Sequence, residues 1–258
     1  MAKIISVEPK EKYFAVKIQD IYGKTDNYKV WNNNEQIKDL RPNSEINIIN
    51  EENGTYGLIL KKFTVIKEGR LGLTEEEKEN LFKEITESGA DYYILDLLKC
   101  NKERFCAAPA ARKHHHAYIG GLLQHTNEVL KEVFSGIYSS TESLSRLVDA
   151  AILHDFGKIF EYNIDTETGI ITYNEDFRKE LGLEGSKIAP HIMWAYNWCI
   201  ERGFVPLAQI VAGHHGLIEH GSMFIPQSPE AHLLYIADYK SSKLGKITVD
   251  LLEDAIPF

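Results

Sequence analysis

Residues 151–160 read AILHDFGKIF, an apolar run that ends in two side chains foreign to one. Ala151 and Ile152 continue the spacing of Leu144, Leu147 and Val148, which is that of a helix with one buried face. His154 and Asp155 follow at once. Burying an imidazole or a carboxylate costs several kcal/mol unless a hydrogen bond, a metal ion or water at the helix end compensates.

The flanking sequence is helical too. Ile119, Leu122, Leu123, Val129, Leu130 and Val133 share helical spacing, and Thr74 with Glu77 spells a capping box that opens a helical stretch running toward Cys100. Helices are expected again near 187–202, 206–213 and 229–244, with Pro206 suited to a first turn. A hairpin-like segment around Gly169 interrupts them. Residues 1–70 read as β: YFAVKIQD (13–20) and TDNYKVW (25–31) flank the turn IYGK, and EINII (45–49) and LILKKFTVI (58–66) flank NEENGTYG. Short strands at such close spacing predict a small barrel of the oligonucleotide/oligosaccharide-binding kind, the OB-fold. The expected architecture is therefore two domains, an OB-like β-barrel over 1–70 and an all-α helical bundle over 71–258.

Charge divides the chain at the same place. Residues 1–70 hold 12 Lys+Arg against 10 Asp+Glu, while the remainder holds 17 against 28, for a total of −9. That balance argues against a generally basic nucleic-acid binder. On the barrel, Tyr13, Lys17, Tyr28, Lys29, Trp31 and Tyr56 either form a face for stacking and phosphate contact or simply complete a small core. No apolar run approaches the length of a membrane span, and MAKIISVEPKEKYF lacks a signal-peptide core. Cys100, Cys106 and Cys199 form no CxxC pair, as expected of reduced thiols in a cytoplasmic protein.

All ten histidines lie after residue 113. Any one of them reads most simply as a hydrogen-bonded core residue or a helix-terminal group. Together they read otherwise. In a helical bundle, His125, His154, Asp155, His191, His214, His215 and Asp238 can converge on one point. Five imidazoles and two carboxylates suit two divalent ions sharing a carboxylate, and an imidazole-rich set favours Mn, Fe, Co, Ni or Zn over Mg or Ca. His114, His220 and His232 are left outside this set. Trp194 and Trp198, four residues apart, read as core.

The ordered pattern H…HD…H…HH…D, with LHDFGK at its centre, resembles the HD superfamily of metal-dependent phosphohydrolases in its two-metal form. PAARKHHHAYIGGLLQHT, ILHDFGKIFEY, VAGHHG, EAHLLYIAD and the barrel segment VKIQDIYGKTDNYKVW resemble the YhaM-type 3′-to-5′ exoribonuclease branch, which carries an OB-fold before the HD domain. The N-terminal domain is shorter than usual there. The resemblance implies two catalytic metals, often Mn²⁺, and phosphodiester hydrolysis. It also implies that His125, His154 and Asp238 hold one ion, and His191, His214 and His215 the other. Asp155 is assigned as the bridge, since a carboxylate can bind two metals and an imidazole cannot. Lys158 either neutralises a phosphate oxygen or is a solvated lysine at a helix C-terminus. His115 and His116 either contact substrate phosphate or belong to a polar loop. The expected substrate is a single strand of RNA or DNA held by the barrel, with Tyr28 and Trp31 in contact. The alternatives are a small cyclic or dinucleoside phosphate, or a non-catalytic module stabilised by metal.

Overall fold

The structure, a computed structural model, describes residues 1–42, 44–55, 57–112, 115–136 and 140–244. Tyr56 and His114 lie outside the described residues. The chain divides into two units, Met1–Leu73 with Ile164–Ile171, and Thr74–Asn163 with Thr172–Phe258.

In the first unit, β1 (Ala2–Pro9), β2 (Tyr13–Asp20), β3 (Thr25–Trp31), β4 (Glu45–Gly54) and β5 (Gly57–Lys67) close into a barrel in the order β1-β2-β3-β5-β4. Neighbours run antiparallel except β3 and β5, which pair in parallel through Tyr28–Leu58 and Lys29–Ile59. Strand alternation sends Val16, Ile18, Val30, Ile46, Leu60 and Phe63 inward. The sequence pattern does not mark β1, because Ile4 and Ile5 are adjacent. A bulge between Ile4 and Ser6 resolves this by burying Ile4 and leaving Ile5 exposed.

The same alternation corrects one expectation. Tyr28 lies opposite Lys29 in the pleat, so its ring joins the barrel core and its hydroxyl donates to Glu51 at 2.6 Å. It offers no stacking surface. The cross-strand pairs Tyr13–Trp31, Ala15–Lys29 and Lys17–Asn27 instead bring Tyr13, Lys17, Lys29 and Trp31 onto one outer face. There Tyr13 and Trp31 meet edge to face, with centroids 5.9 Å apart, and the Lys29 ammonium sits 4.9 Å from the Tyr13 centroid. Trp31, 37% exposed, borders a cleft of about 560 Å³ with Asn34, Gln36, Lys61 and Lys62, and a second of about 470 Å³ with Lys12 and Asn33.

The second unit is helical: α1 (Glu75–Thr86), α2 (Tyr92–Cys100), α3 (Lys102–Ala107), α4 (Gly121–Phe134), α5 (Thr141–Leu153), α6 (Lys158–Glu161), α7 (Glu175–Glu180), α8 (Pro190–Glu201), α9 (Val205–Ala212) and α10 (Pro229–Tyr239). A hairpin of β6 (Tyr162–Ile164) and β7 (Ile171–Tyr173) interrupts after α6. The Thr74 and Glu77 capping box forms as the sequence predicts. Leu122, Leu123, Leu130, Leu147, Val148 and Ile152 are buried at the spacing that marked them. Trp194 stacks on Phe156 at 5.3 Å, and Trp198 is buried. No described helix is long and apolar enough to cross a membrane. The three cysteines are free.

Candidate metal centre

His154 caps the C-terminus of α5 with Asp155 next to it, and both side chains are buried. Neither reaches water at the helix end. His125 comes from the middle of α4, His191 from the first turn of α8, His214 and His215 from the segment after α9, and Asp238 from the last turn of α10. Two glycines permit this convergence. A Cβ on Gly157 would lie 2.6 Å from the His191 Cα, so only glycine lets α8 approach the HD turn so closely. A Cβ on Gly121 would lie 1.9 Å from the His116 carbonyl oxygen. That carbonyl accepts the N–H groups of Ala110 and Tyr118, folding the preceding loop over the start of α4.

The ligand atoms fall into two groups, Asp155 with His191, His214 and His215, and His125 with His154 and Asp238. Asp155 faces both. Its Oδ2 lies 3.3 Å from His125 Nε2 and 3.4 Å from His154 Nε2, while its Oδ1 lies 3.4 Å from His191 Nε2 and 3.5 Å from His214 Nε2. Asp238 Oδ1 is 3.2 Å from His125 Nε2.

Hydrogen bonding orients all five rings the same way. The Nδ1 atoms of His154, His214 and His215 donate to the carbonyls of Ala151 (2.9 Å), Val211 (2.7 Å) and His220 (2.8 Å). His191 Nδ1 donates to Glu161 Oε2 at 2.6 Å, and His125 Nδ1 meets Ser241 Oγ at 2.9 Å. A carbonyl or carboxylate can only accept, so His154, His191, His214 and His215 when neutral keep the proton on Nδ1 and turn a bare Nε2 inward, whereas the hydroxyl beside His125 does not decide its tautomer by itself. His125 and His154 then bring Nε2 atoms within 3.2 Å, and His191 and His215 within 3.4 Å. Asp155 Oδ1 and His214 Nε2 are buried with no hydrogen-bond partner. Lone pairs and carboxylates gathered in this way suit a cation. The residues fit divalent metal ions.

Burial alone would lower His125, but hydrogen bonds and charge from Asp155 and Asp238 raise it to about 9. Burial pushes His154 down and His215 well down, the latter aided by His214 and His191. Burial would raise Asp155, yet the charges of Lys158 and His154 and hydrogen bonds from the histidines hold it well below the carboxylate range.

Lys158 begins α6 and is buried, its ammonium donating to Asp155 Oδ2 at 2.5 Å, so it is not a solvated lysine. His115 is packed with its ring centroid 5.5 Å from that of His125, and burial lowers it to about 3. His116, at φ 53°, is tied through Nε2 to Glu128 at 3.1 Å. His220 contributes only its carbonyl, and the exposed His232 turns Nδ1 to the Ser228 carbonyl. Sequence reading did not single out Glu161, Glu128 or Ser241. Glu161 carries the signal that marked His154, a charged group three residues past Lys158 in an apolar run. Glu128 and Ser241 carry none, since nothing in the sequence around them sets them apart from ordinary polar residues of a helix.

No family model matches the chain, and no solved structure matches it. Among curated proteins it is 31% identical over 149 residues to the dihydroneopterin 2′,3′-cyclic phosphate phosphodiesterase of Methanocaldococcus jannaschii, covering 55% of this chain and 54% of that one. It is 31% identical over 156 residues to the 3′-5′ exoribonuclease YhaM of Geobacillus sp. strain WCH70, covering 58% and 46%. The chain spans about half the length of the curated relatives it matches. Both are, by name, enzymes that cleave phosphodiesters. With its closed five-stranded barrel of OB type and its buried His/Asp cluster, the chain is similar to HD-type phosphohydrolases.

Proposed function

We propose that this chain is a metal-dependent phosphodiesterase that shortens single-stranded RNA, or DNA, from the 3′ end. The observation that carries the reading is Asp155, a carboxylate with one oxygen toward each group of imidazoles. In this reading His125, His154 and Asp238 would hold one divalent ion and His191, His214 and His215 a second, with Asp155 serving both, and Mn²⁺ would be the favoured occupant. Such ions supply Lewis-acid stabilisation of the phosphodiester and a nucleophile at neutral pH. Lys158 keeps a buried ammonium beside the bridge, where it can neutralise a phosphate oxygen without having to be desolvated first. His115 faces the same space as a neutral ring and serves as a hydrogen-bond partner rather than a charge. His116 is committed to Glu128 and orders the loop that carries His115. Two adjacent ligand groups sharing one carboxylate, with a buried lysine beside it, favour two-metal catalysis over a purely stabilising role.

The strand reading rests on the barrel, where Trp31 and Tyr13 offer ring surface beside Lys29 and Lys17. A second reading, hydrolysis of a small cyclic phosphate, is favoured by the relative that bears that activity in its name and by the acidity of residues 71–258.

Protein purified without chelator should carry close to two transition-metal ions per chain by elemental analysis. Asp155→Ala should lower that content and stop hydrolysis; full activity in this variant would refute the site assignment. Chelated enzyme should recover with Mn²⁺ and poorly with Mg²⁺. A 5′-labelled RNA should shorten stepwise with Mn²⁺ present. If the strand stays intact while a 2′,3′-cyclic nucleotide opens, the small-substrate reading stands instead.

A further inference from the structure

His125 differs from three of the other candidate ligands. Their Nδ1 atoms face backbone carbonyls, and a carbonyl fixes the tautomer because it cannot donate. His125 Nδ1 faces a hydroxyl, Ser241 Oγ, which can donate or accept. What decides is the next link. Ser241 Oγ gives its single proton to Glu128 Oε2 at 2.6 Å, leaving only lone pairs for His125. Glu128 is in turn held as an acceptor, since its Oε1 receives Gln124 Nε2 at 3.0 Å and lies 3.1 Å from His116 Nε2. The backbone serves the same arrangement. Lys240–Leu244 turns as a π-helix directly after α10, a rare form that concentrates at functional sites. Asp238 Oδ1 lies at His125 Nε2 while Ser241, three residues on, lies at Nδ1, so one segment grips both nitrogens of a ring on α4.

We infer that Glu128, acting through Ser241, sets the tautomer in which His125 can bind metal, and so governs occupancy of the ion held by His125, His154 and Asp238. Glu128 and Ser241 are positioning residues that touch neither metal nor substrate. The inference rests on the proposed two-metal reading.

Glu128→Gln tests it by reversing the direction of the chain. Its amide oxygen is kept toward the Gln124 and His116 donors, so its NH₂ points at Ser241. The hydroxyl must then donate to His125 Nδ1, and the ring's proton moves to Nε2, where metal would bind. Ser241→Ala merely releases Nδ1 without imposing the wrong tautomer. Chelated wild type, both single variants and the double variant would be titrated with Co²⁺, following d–d absorption and calorimetry without substrate. Wild type should take up two ions. Glu128→Gln should weaken one of them about 10- to 100-fold and leave the other unchanged, in line with the loss of groups that orient metal ligands. Ser241→Ala should weaken the same ion less. The double variant should be no worse than Ser241→Ala, because the reversed relay needs the hydroxyl. A simple loss of packing predicts instead that the two effects add. Equal two-ion binding by wild type and Glu128→Gln would overturn the inference and spare the proposed function, whereas no uptake by wild type would overturn both. Should Glu128→Gln fail to fold, an unchanged Co²⁺ titration of Ser241→Ala overturns it.

Discussion

At Gly157 a single hydrogen atom decides whether the HD turn and α8 can meet. The residue has ordinary helical angles, φ −59° and ψ −13°, so alanine there would suffer no backbone strain. Its cost would be steric, a Cβ 2.6 Å from the His191 Cα and 2.9 Å from the His191 carbonyl. Backbone cannot swing aside as a side chain can. Gly157→Ala should therefore destabilise the fold by about 1–3 kcal/mol, the usual cost of overpacking. Because the displaced element carries His191, it should also lower metal content. Denaturant unfolding and elemental analysis of the same preparation would check both, and a variant as stable as wild type would contradict the packing. The histidines themselves were legible in the sequence, since few roles gather so many imidazoles and carboxylates in one acidic half. Their tautomers were not, because they depend on which carbonyl, carboxylate or hydroxyl each Nδ1 meets.

At the scale of elements, Asp149 of α5 joins two helices by accepting the Asp91 N–H at the start of α2, at 2.8 Å. Burial raises its carboxyl from 3.8 to about 6, against the help of that hydrogen bond. The folded chain thus prefers the protonated form. Stability from this group is present below the unfolded value and is lost as pH rises from about 4 through 6. Asp149→Asn keeps an acceptor and removes the charge. It should stabilise the protein at pH 7 by at most about 3 kcal/mol and change little at pH 4, and thermal unfolding across that range would show it. An equal effect at both values would exclude the buried charge as the cause. On β2 and β3, Trp31→Ala should weaken binding of a labelled single strand by about 5- to 100-fold, the worth of one stacked base. With Lys17 and Lys29 as the cations of that face, the log–log salt slope should be shallow, about −1 to −2. Anisotropy titrations would measure both, and unchanged affinity in Trp31→Ala would remove the strand from that face. Alternation in YFAVKIQD and TDNYKVW was enough to find these strands. It could not say which parity faced in, and so Tyr28 went to the core.

For the whole molecule, the candidate ligands come from α4, α5, α8, α10 and the segment after α9, elements far apart in sequence. Ions bound there would tie the helical unit together and stabilise it by linkage. At a hundredfold excess over Kd, one ion adds about 2.7 kcal/mol. Mn²⁺ returned to chelated protein should therefore raise the unfolding temperature by several degrees, in proportion to occupancy. Calorimetry with and without chelator would test this, and full occupancy with no change in unfolding would mean that the ligands do not span the fold as described.

The sequence by itself determined the two kinds of architecture, the capping box, the buried faces of the main helices and the ordered His/Asp set. The architecture, the cap and the buried faces follow from periodicity and composition, which act over one or two helical turns, whereas the His/Asp set followed from its order along the chain and its resemblance to the HD pattern. Only the tertiary structure decided that one Asp155 oxygen faces each ligand group, that Lys158 is buried against that carboxylate, and that Ser241, held by Glu128, reaches His125 from a distant part of the chain. Those facts depend on distances between residues up to 116 positions apart, as Ser241 is from His125. Local pattern cannot encode such distances, because they are set by how closely the helices pack and by the glycines that let them.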